Sequence, residues 1–366
     1  MLKGRRFVQR TLNAEIRKHI QRFSLVKPNL HLLTVSYLWI TSQKYVTITD
    51  MKKGTGFFPT EIIFAVTDRC NKHCGHCYVQ QKNIDLDIEK CKTFIESCPE
   101  NIERIGFSGG EPFLNIDFIE EIVKTTVSKD MMFDQIITNG DWWKSEDQLE
   151  SVLKRIYDAG FDGKIGLSYD SFHGQELNRI VTFIKTVHRI WNQGDILNIQ
   201  SVISENPEKI IEDLENFDKL ALALNCNVEL ELNKKTGKGV ILLENDEIYL
   251  PVYREIQSFK GNDERAWKSR KWFKDDFCEG PGQVLFVHSD GNIAPCCGFA
   301  NENKELFIGT VSENYQQIME NARHNKMVKI CYENGLSKKI KELKKKMPGK
   351  TDNICAFCDF VCKISD

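Results

Sequence analysis

From Glu61 onward, short apolar, β-branched runs alternate with longer segments whose apolar residues recur every three or four positions. Short apolar runs predict buried strands, and the helical period predicts amphipathic helices packed on them. Strands are expected at 61–67 ("EIIFAVT"), 102–108, 132–138, 164–170, 197–204 and 227–233. Helices are expected at 84–98, 116–127, 145–160, near 174–193 and at 207–223, with Ser145 placed to cap and Gly160 to end the third. Six strand–helix repeats imply parallel strands joined by right-handed crossovers. The expected fold is therefore α/β, a partial (β/α)6 TIM-like barrel, because six repeats fall short of the eight that close one. Function is expected at the C-terminal strand ends.

The alternation stops near residue 235. Residues 61–235 read as the barrel core, 236–277 as a charged, irregular linker and 278–366 as a small cysteine-rich α+β domain. The last contains a hairpin, "QVLFVHSDGNIAPCC", with a turn expected at Asp290–Gly291. Residues 1–60 read as a mostly helical extension with a strand near 45–49, and no role is assigned to them.

Composition narrows the class. A chain of 366 residues with net charge −2 lacks the basic surplus of a nucleic-acid binder. "MLKGRRFVQRTLNAEIRKHI" has no apolar core for a secretory signal, and the apolar stretch 30–40 is too short to span a bilayer. The reading is a cytoplasmic protein with no membrane partner. Thirteen cysteines are then an excess, and their clustering favours metal or iron–sulfur ligation over disulfides. Cys91, Cys98 and Cys226 fall within apolar patterns and read as small buried hydrophobes. The lysine-rich run 337–350 reads as a solvated helix face.

The chemistry starts at "TDRCNKHCGHCYV" (67–79), where Cys70, Cys74 and Cys77 occupy one loop with no fourth cysteine. Zinc with His73 or His76 as fourth ligand is one reading. The other is an iron–sulfur cube with one iron left open, which can bind a substrate or cofactor. The spacing alone leaves both open. Further strand ends carry "SGGEP" (108–112), "TNG" (138–140) and "SYDSFH" (168–173), all facing one mouth of the expected barrel. The glycines suit close backbone approach to a ligand, and Glu111 could receive an amine.

With these motifs the chain resembles the radical S-adenosylmethionine superfamily over roughly residues 61–233. The resemblance implies that Cys70, Cys74 and Cys77 hold a [4Fe-4S] cluster whose open iron binds S-adenosyl-L-methionine. It implies that Gly109, Gly110 and Glu111 contact the methionine moiety, Ser168 and Asp170 the ribose, and Gln200 and Val202 the adenine, with Asn139 and Tyr78 as further contacts. His76 departs from the aromatic residue common before the third cysteine. The implied chemistry is reductive cleavage to a 5'-deoxyadenosyl radical that takes a hydrogen atom from substrate, with Asp141 and His173 as acid–base residues by location. A capping or solvent-exposed His173 is the plainer alternative.

Cys278, Gly291 and Cys296, with the later "CAFCDFVC", are similar to the family's C-terminal SPASM extension in its shorter twitch form. That implies one auxiliary [4Fe-4S] cluster, held by Cys278, Cys296, Cys355 and Cys358, with Cys362 and Cys297 as alternates and Cys331 a distant one. A zinc ribbon is the alternative. The function implied is a peptide or protein maturase that oxidises or crosslinks its substrate, fed by a one-electron donor such as a flavodoxin or ferredoxin. A small-molecule dehydrogenase acting on a sugar alcohol is the runner-up, and a non-catalytic zinc or iron–sulfur protein the third reading. Trp142 and Trp143 are read as packing residues that could instead line the substrate mouth.

Overall fold

The computed structural model describes residues 56–233, 236–278, 282–343 and 346–364. Most of the N-terminal extension expected over 1–60, including the strand near 45–49, lies outside the described residues. The core strands are β1 (Glu61–Ala65), β2 (Arg104–Ser108), β3 (Met132–Thr138), β4 (Lys164–Ser168) and β5 (Leu197–Ile203). The helices between and after them are α1 (Ile88–Ser97), α2 (Ile116–Ser128), α3 (Glu146–Asp158), α4 (Leu177–Trp191) and α5 (Pro207–Leu224). Ser145 caps α3 by accepting from the Gln148 N–H at 3.3 Å, and Gly160 follows the helix with φ +103°.

The strand expected at 227–233 does not continue the parallel array. β6 (Asn227–Leu232) pairs antiparallel with β7 (Gly239–Glu244), and β7 with β8 (Tyr249–Ile256). It is β8 that lies parallel beside β5. The reason is legible afterwards: Asn227, Glu229 and Glu231 put polar groups on one exposed face, which suits an edge strand. β8 escaped notice because Pro251 and its charges break the strand pattern.

At the other edge β9 (Gly282–Val287) runs parallel to β1, then turns into the antiparallel β10 (Asn292–Cys296) and the two-residue β11 (Gly309–Thr310). The hairpin turn spans three residues rather than two, and Gly291 supplies φ +86°. The result is one open sheet of eleven strands, of which β9, β1–β5 and β8 are parallel.

The sheet is an α/β partial barrel that does not close. Side chains facing the helices are sealed: Ile62, Phe64, Ile105, Ile165, Leu167 and Ile199 have 0–1% exposure. Each such side chain contributes roughly 1.5–3 kcal/mol. On the concave face Ser108, Gln135, Ser168, Asn198, Gln200 and Val202 are only half-buried. Because the sheet stays open, that face is a lined trough instead of a packed barrel core.

Candidate functional site

The three-cysteine loop leaves β1 and is tied down at its base. Asp68, buried, accepts from the N–H groups of Lys82 and Ile84 at 3.1 and 2.8 Å, and the Thr67 hydroxyl donates to Ile84 O at 3.1 Å. Arg69 grips Asp85 and donates to Leu114 O at 3.2 Å. On the far side Lys72 and Arg179 both bond the Asp141 carboxylate, while Asn71 donates to Asp141 O at 2.9 Å. Burial works to raise the Asp141 pKa, but the two cations outweigh it and hold the carboxyl below its ordinary value. Asp141, expected as an acid–base group, is thus an ionised clamp on the loop.

The "GGE" segment serves the backbone first. A Cβ on Gly110 would lie 2.2 Å from Arg69 O, and one on Gly109, whose φ is +136°, 2.4 Å from Thr67 O. These glycines let the end of β2 press on the start of the cysteine loop, sealed by Gly110 N–H to Thr67 O and Glu111 N–H to Arg69 O at 2.7 and 2.8 Å. The expectation that Glu111 receives a ligand amine meets a correction, because Glu111 is 0% exposed. Its carboxylate accepts from Thr138 Oγ1 (2.7 Å), Asn139 N (2.8 Å) and Phe113 N (3.2 Å). Burial pushes its pKa up to about 7 despite those donors. Asn139 in turn donates from Nδ2 to Asn71 Oδ1 at 2.9 Å and towards Cys70 Sγ at 3.8 Å.

At the end of β4, Asp170 is buried and fully engaged, accepting from Val202 N, Phe172 N and His173 Nδ1 at 2.8, 3.0 and 2.8 Å. His173 is neither exposed nor a helix cap. Burial lowers its pKa, but Asp170 and the neighbouring Cys74 raise it further, to about 9. The His76 ring sits 5.1 Å from it. Ser168 O and Asn139 O both accept from Gln175 Nε2. Gln200 donates to Asn198 Oδ1 at 2.9 Å. Tyr78 turns away from these groups: its hydroxyl donates to Ser258 O and its ring packs 4.9 Å from Phe299, joining the loop to the C-terminal segment. Trp142 and Trp143 are packing residues, Trp142 stacked on Phe113 at 4.8 Å and Trp143 beneath Arg179. Sequence reasoning missed Asp68, Lys72, Arg179 and Gln175, which lie outside the short motifs and act by reaching back to them.

The C-terminal cysteines gather as a buried group. Cys331, expected to be distant, is central: its Sγ lies 3.6 Å from Cys358 Sγ, and Cys331 O accepts from Cys278 N at 3.1 Å. Cys278, Cys296, Cys355 and Cys362 lie close enough to this pair to feel its charge. Burial and mutual repulsion push Cys278 and Cys355 up to about 12 and Cys296 well above its usual value. Cys297 points elsewhere, towards Glu61 and Asp134. Cys91 and Cys98 are buried core residues as read, and Cys226 is half-buried. Among the described residues, no three His, Cys, Asp or Glu side chains converge as a single metal ion would hold them.

Two cavities open on the concave face. The larger, about 700 Å³, runs from Thr67, Ser108 and Gly109 to His288, Lys304 and Lys363. The smaller, about 440 Å³, has His76, Cys77 and Val202 on one wall and Cys297 and Phe299 on the other. Val79, Ser108, Phe286 and Glu302 line both.

Residues 64–197 match the model of the Radical SAM superfamily. They form a radical SAM domain. The chain is 24% identical over 315 residues to a putative peptide biosynthesis protein, YydG, of Bacillus subtilis, covering 79% of this chain and 88% of that one. It is 27% identical over 255 residues to an uncharacterized protein of Methanocaldococcus jannaschii (64% of this chain, 84% of that one). It is 24% identical over 259 residues to an S-adenosylmethionine-dependent nucleotide dehydratase of Selenomonas ruminantium (68% and 77%). Among solved structures, native anSMEcpe with bound AdoMet superposes with a TM-score of 0.47 at 14% identity, covering 83% of this chain and 96% of that one.

The family implies a four-iron cluster and S-adenosylmethionine, and the radical SAM domain's residues fit both. Cys70 Sγ accepts from Lys72 N at 3.4 Å and from Asn139, donors that stabilise a thiolate or a cluster sulfur. Burial, Cys74 and Cys77 all push the Cys70 thiol up, a repulsion that a cationic iron centre would relieve. Gln175 Oε1 and His76 Nδ1 are buried without a partner among the described residues, leaving polar atoms for a ligand. No helix among the described residues is long and apolar enough to cross a membrane.

Proposed function

We propose that this radical SAM enzyme modifies a peptide, abstracting a hydrogen atom in the trough between its two cysteine-bearing walls. The observation that carries the reading is the smaller cavity, with Cys77 on one side and Cys297, beside the C-terminal cysteine group, on the other. A substrate held there touches both. The YydG relative, matched over most of both chains, supports a peptide over a sugar alcohol. So does the open form of the trough, which suits an extended chain better than a small enclosed polyol.

Cys70, Cys74 and Cys77 would hold the radical-generating cluster, and Asn139 and the Lys72 N–H would tune it. Bound there with S-adenosylmethionine, the cluster supplies one-electron reductive cleavage and a hydrogen-abstracting radical. Asp141, Lys72 and Arg179 fix the loop's position, and Asp68 fixes its return. Gly109 would border the methionine moiety, and Ser168, Gln175 and Val202 the nucleoside. Asp170 shapes that wall through Val202 N and holds the His173 proton at Nδ1. The C-terminal group, now including Cys331 with Cys278, Cys296, Cys355, Cys358 and Cys362, would hold an auxiliary cluster of twitch type. That cluster would lie ready to accept the electron a substrate radical must lose in a net oxidation.

The test uses anaerobically reconstituted protein with pools of peptides deuterated at carbon. Deuterium recovered in 5'-deoxyadenosine from a peptide, with none from deuterated polyols, is the expected result. Transfer from polyols or nucleotides alone would overturn the peptide reading.

A further inference from the structure

The lysine-rich run of the sequence has found no work in the site above. It contributes α8 (Leu336–Leu343), which packs near α6 (Tyr315–His324) and the short α7 (Lys326–Lys329). Between them lies a groove of about 310 Å³ whose charged lining includes Lys326, Lys329, Lys338 and Lys339 against a single glutamate, Glu342. Glu342 pairs with Lys339 at 3.4 Å. No ion pair to Lys326, Lys329 or Lys338 is formed among the described residues, whereas Lys92, Lys124, Lys154 and Lys164 on the helical layer all meet carboxylates. Glu320 and Glu333 are the other nearby acids; Glu320 is already paired with Arg323 at 2.9 Å.

The floor of this groove lies over the buried thiols. Ile330 lines it, and the next residue is Cys331, whose Sγ lies 3.6 Å from Cys358. The two residues share one π-turn, Ile330–Asn334. Unpaired positive charge is thus presented directly above the cysteine group.

From this juxtaposition we infer that the groove is the docking surface for an acidic one-electron carrier protein of the flavodoxin or ferredoxin class. The inference rests on the radical SAM reading, which requires one electron per cleavage; the carrier is oxidised by one electron as the enzyme is reduced by one. Opposite charge steers such encounters and makes them salt-sensitive. A small patch is enough for transient electron-transfer complexes.

The experiment compares the reconstituted full chain with a Lys326→Glu/Lys329→Glu/Lys338→Glu variant, using an acidic flavodoxin as probe. Binding is measured by titration at low and high salt, and S-adenosylmethionine cleavage is driven either by reduced flavodoxin or by dithionite. The expected result is roughly tenfold weaker binding and slower flavodoxin-driven cleavage, with the dithionite rate unchanged. A Lys124→Glu/Lys154→Glu variant, altered on the helical layer, should behave as wild type. Equal flavodoxin binding by wild type and triple variant would overturn the inference, as would a groove that binds only an oligonucleotide or anionic vesicles. If dithionite drives no cleavage in wild type, the radical reading fails, while the binding titration still judges the docking surface.

Discussion

Glu111 is the residue whose chemistry departs most from its motif. Its unfolded carboxyl would titrate at 4.5, but burial raises the folded value to about 7. A carboxyl raised in this way favours the fold fully below its unfolded pKa and loses that contribution as pH rises through the folded one. A difference of that size is worth on the order of 3 kcal/mol. The unfolding free energy of the metal-free protein should therefore fall between about pH 5 and about pH 8, and Glu111→Gln should be nearly flat across that range. Urea titrations of both proteins at the two pH values check this. Equal slopes would mean that the carboxyl is ionised throughout and that its three donors outweigh its burial.

At the scale of elements, the site depends on two loops pressed together at the ends of β1 and β2. Gly110→Ala sets a Cβ against Arg69 O, where no flexible side chain can yield, and overpacking of this kind costs about 1–3 kcal/mol. Gly75→Ala, in the same cysteine loop with nothing within 4 Å, is the matched control. The first should lower the melting temperature and the iron retained on reconstitution; the second should change neither. If both load iron equally, the contact between the loops is not what positions the cysteines. These contacts also mark where the sequence could be read and where it could not. The five βα repeats followed from apolar runs and helical periods, and the cysteine, glycine and Asp170 motifs were visible from their place at strand ends. The partners of those motifs were not. Asp68, Arg179 and Gln175 are single polar residues whose meaning is a distance, and no spacing rule encodes a bond from Arg179 to Asp141. The order of β6, β7 and β8 was hidden for a different reason. A parallel crossover and an antiparallel meander can start from the same alternating strand, and only the sheet's edge decides between them.

Over the whole molecule, the sheet brings two distant cysteine groups to one trough. β9 lies beside β1, so the segment after Cys278 returns to the mouth where Cys70, Cys74 and Cys77 stand. Removing Cys331, which the sequence placed at a distance, should now matter as much as removing Cys358. Cys331→Ala is expected to lose about four of about eight irons and to keep S-adenosylmethionine cleavage, because only the auxiliary site is touched. An unchanged iron count would return Cys331 to the role of a buried neighbour. The most direct measurement concerns the three-cysteine loop itself. Iron, sulfide and reductive cleavage of S-adenosylmethionine are determined on anaerobically reconstituted wild type and on a Cys70→Ala/Cys74→Ala/Cys77→Ala variant. The expected result is about eight irons falling to about four, with 5'-deoxyadenosine formed by wild type alone. Zinc in place of iron, or a full iron complement with no cleavage by wild type, would contradict the account.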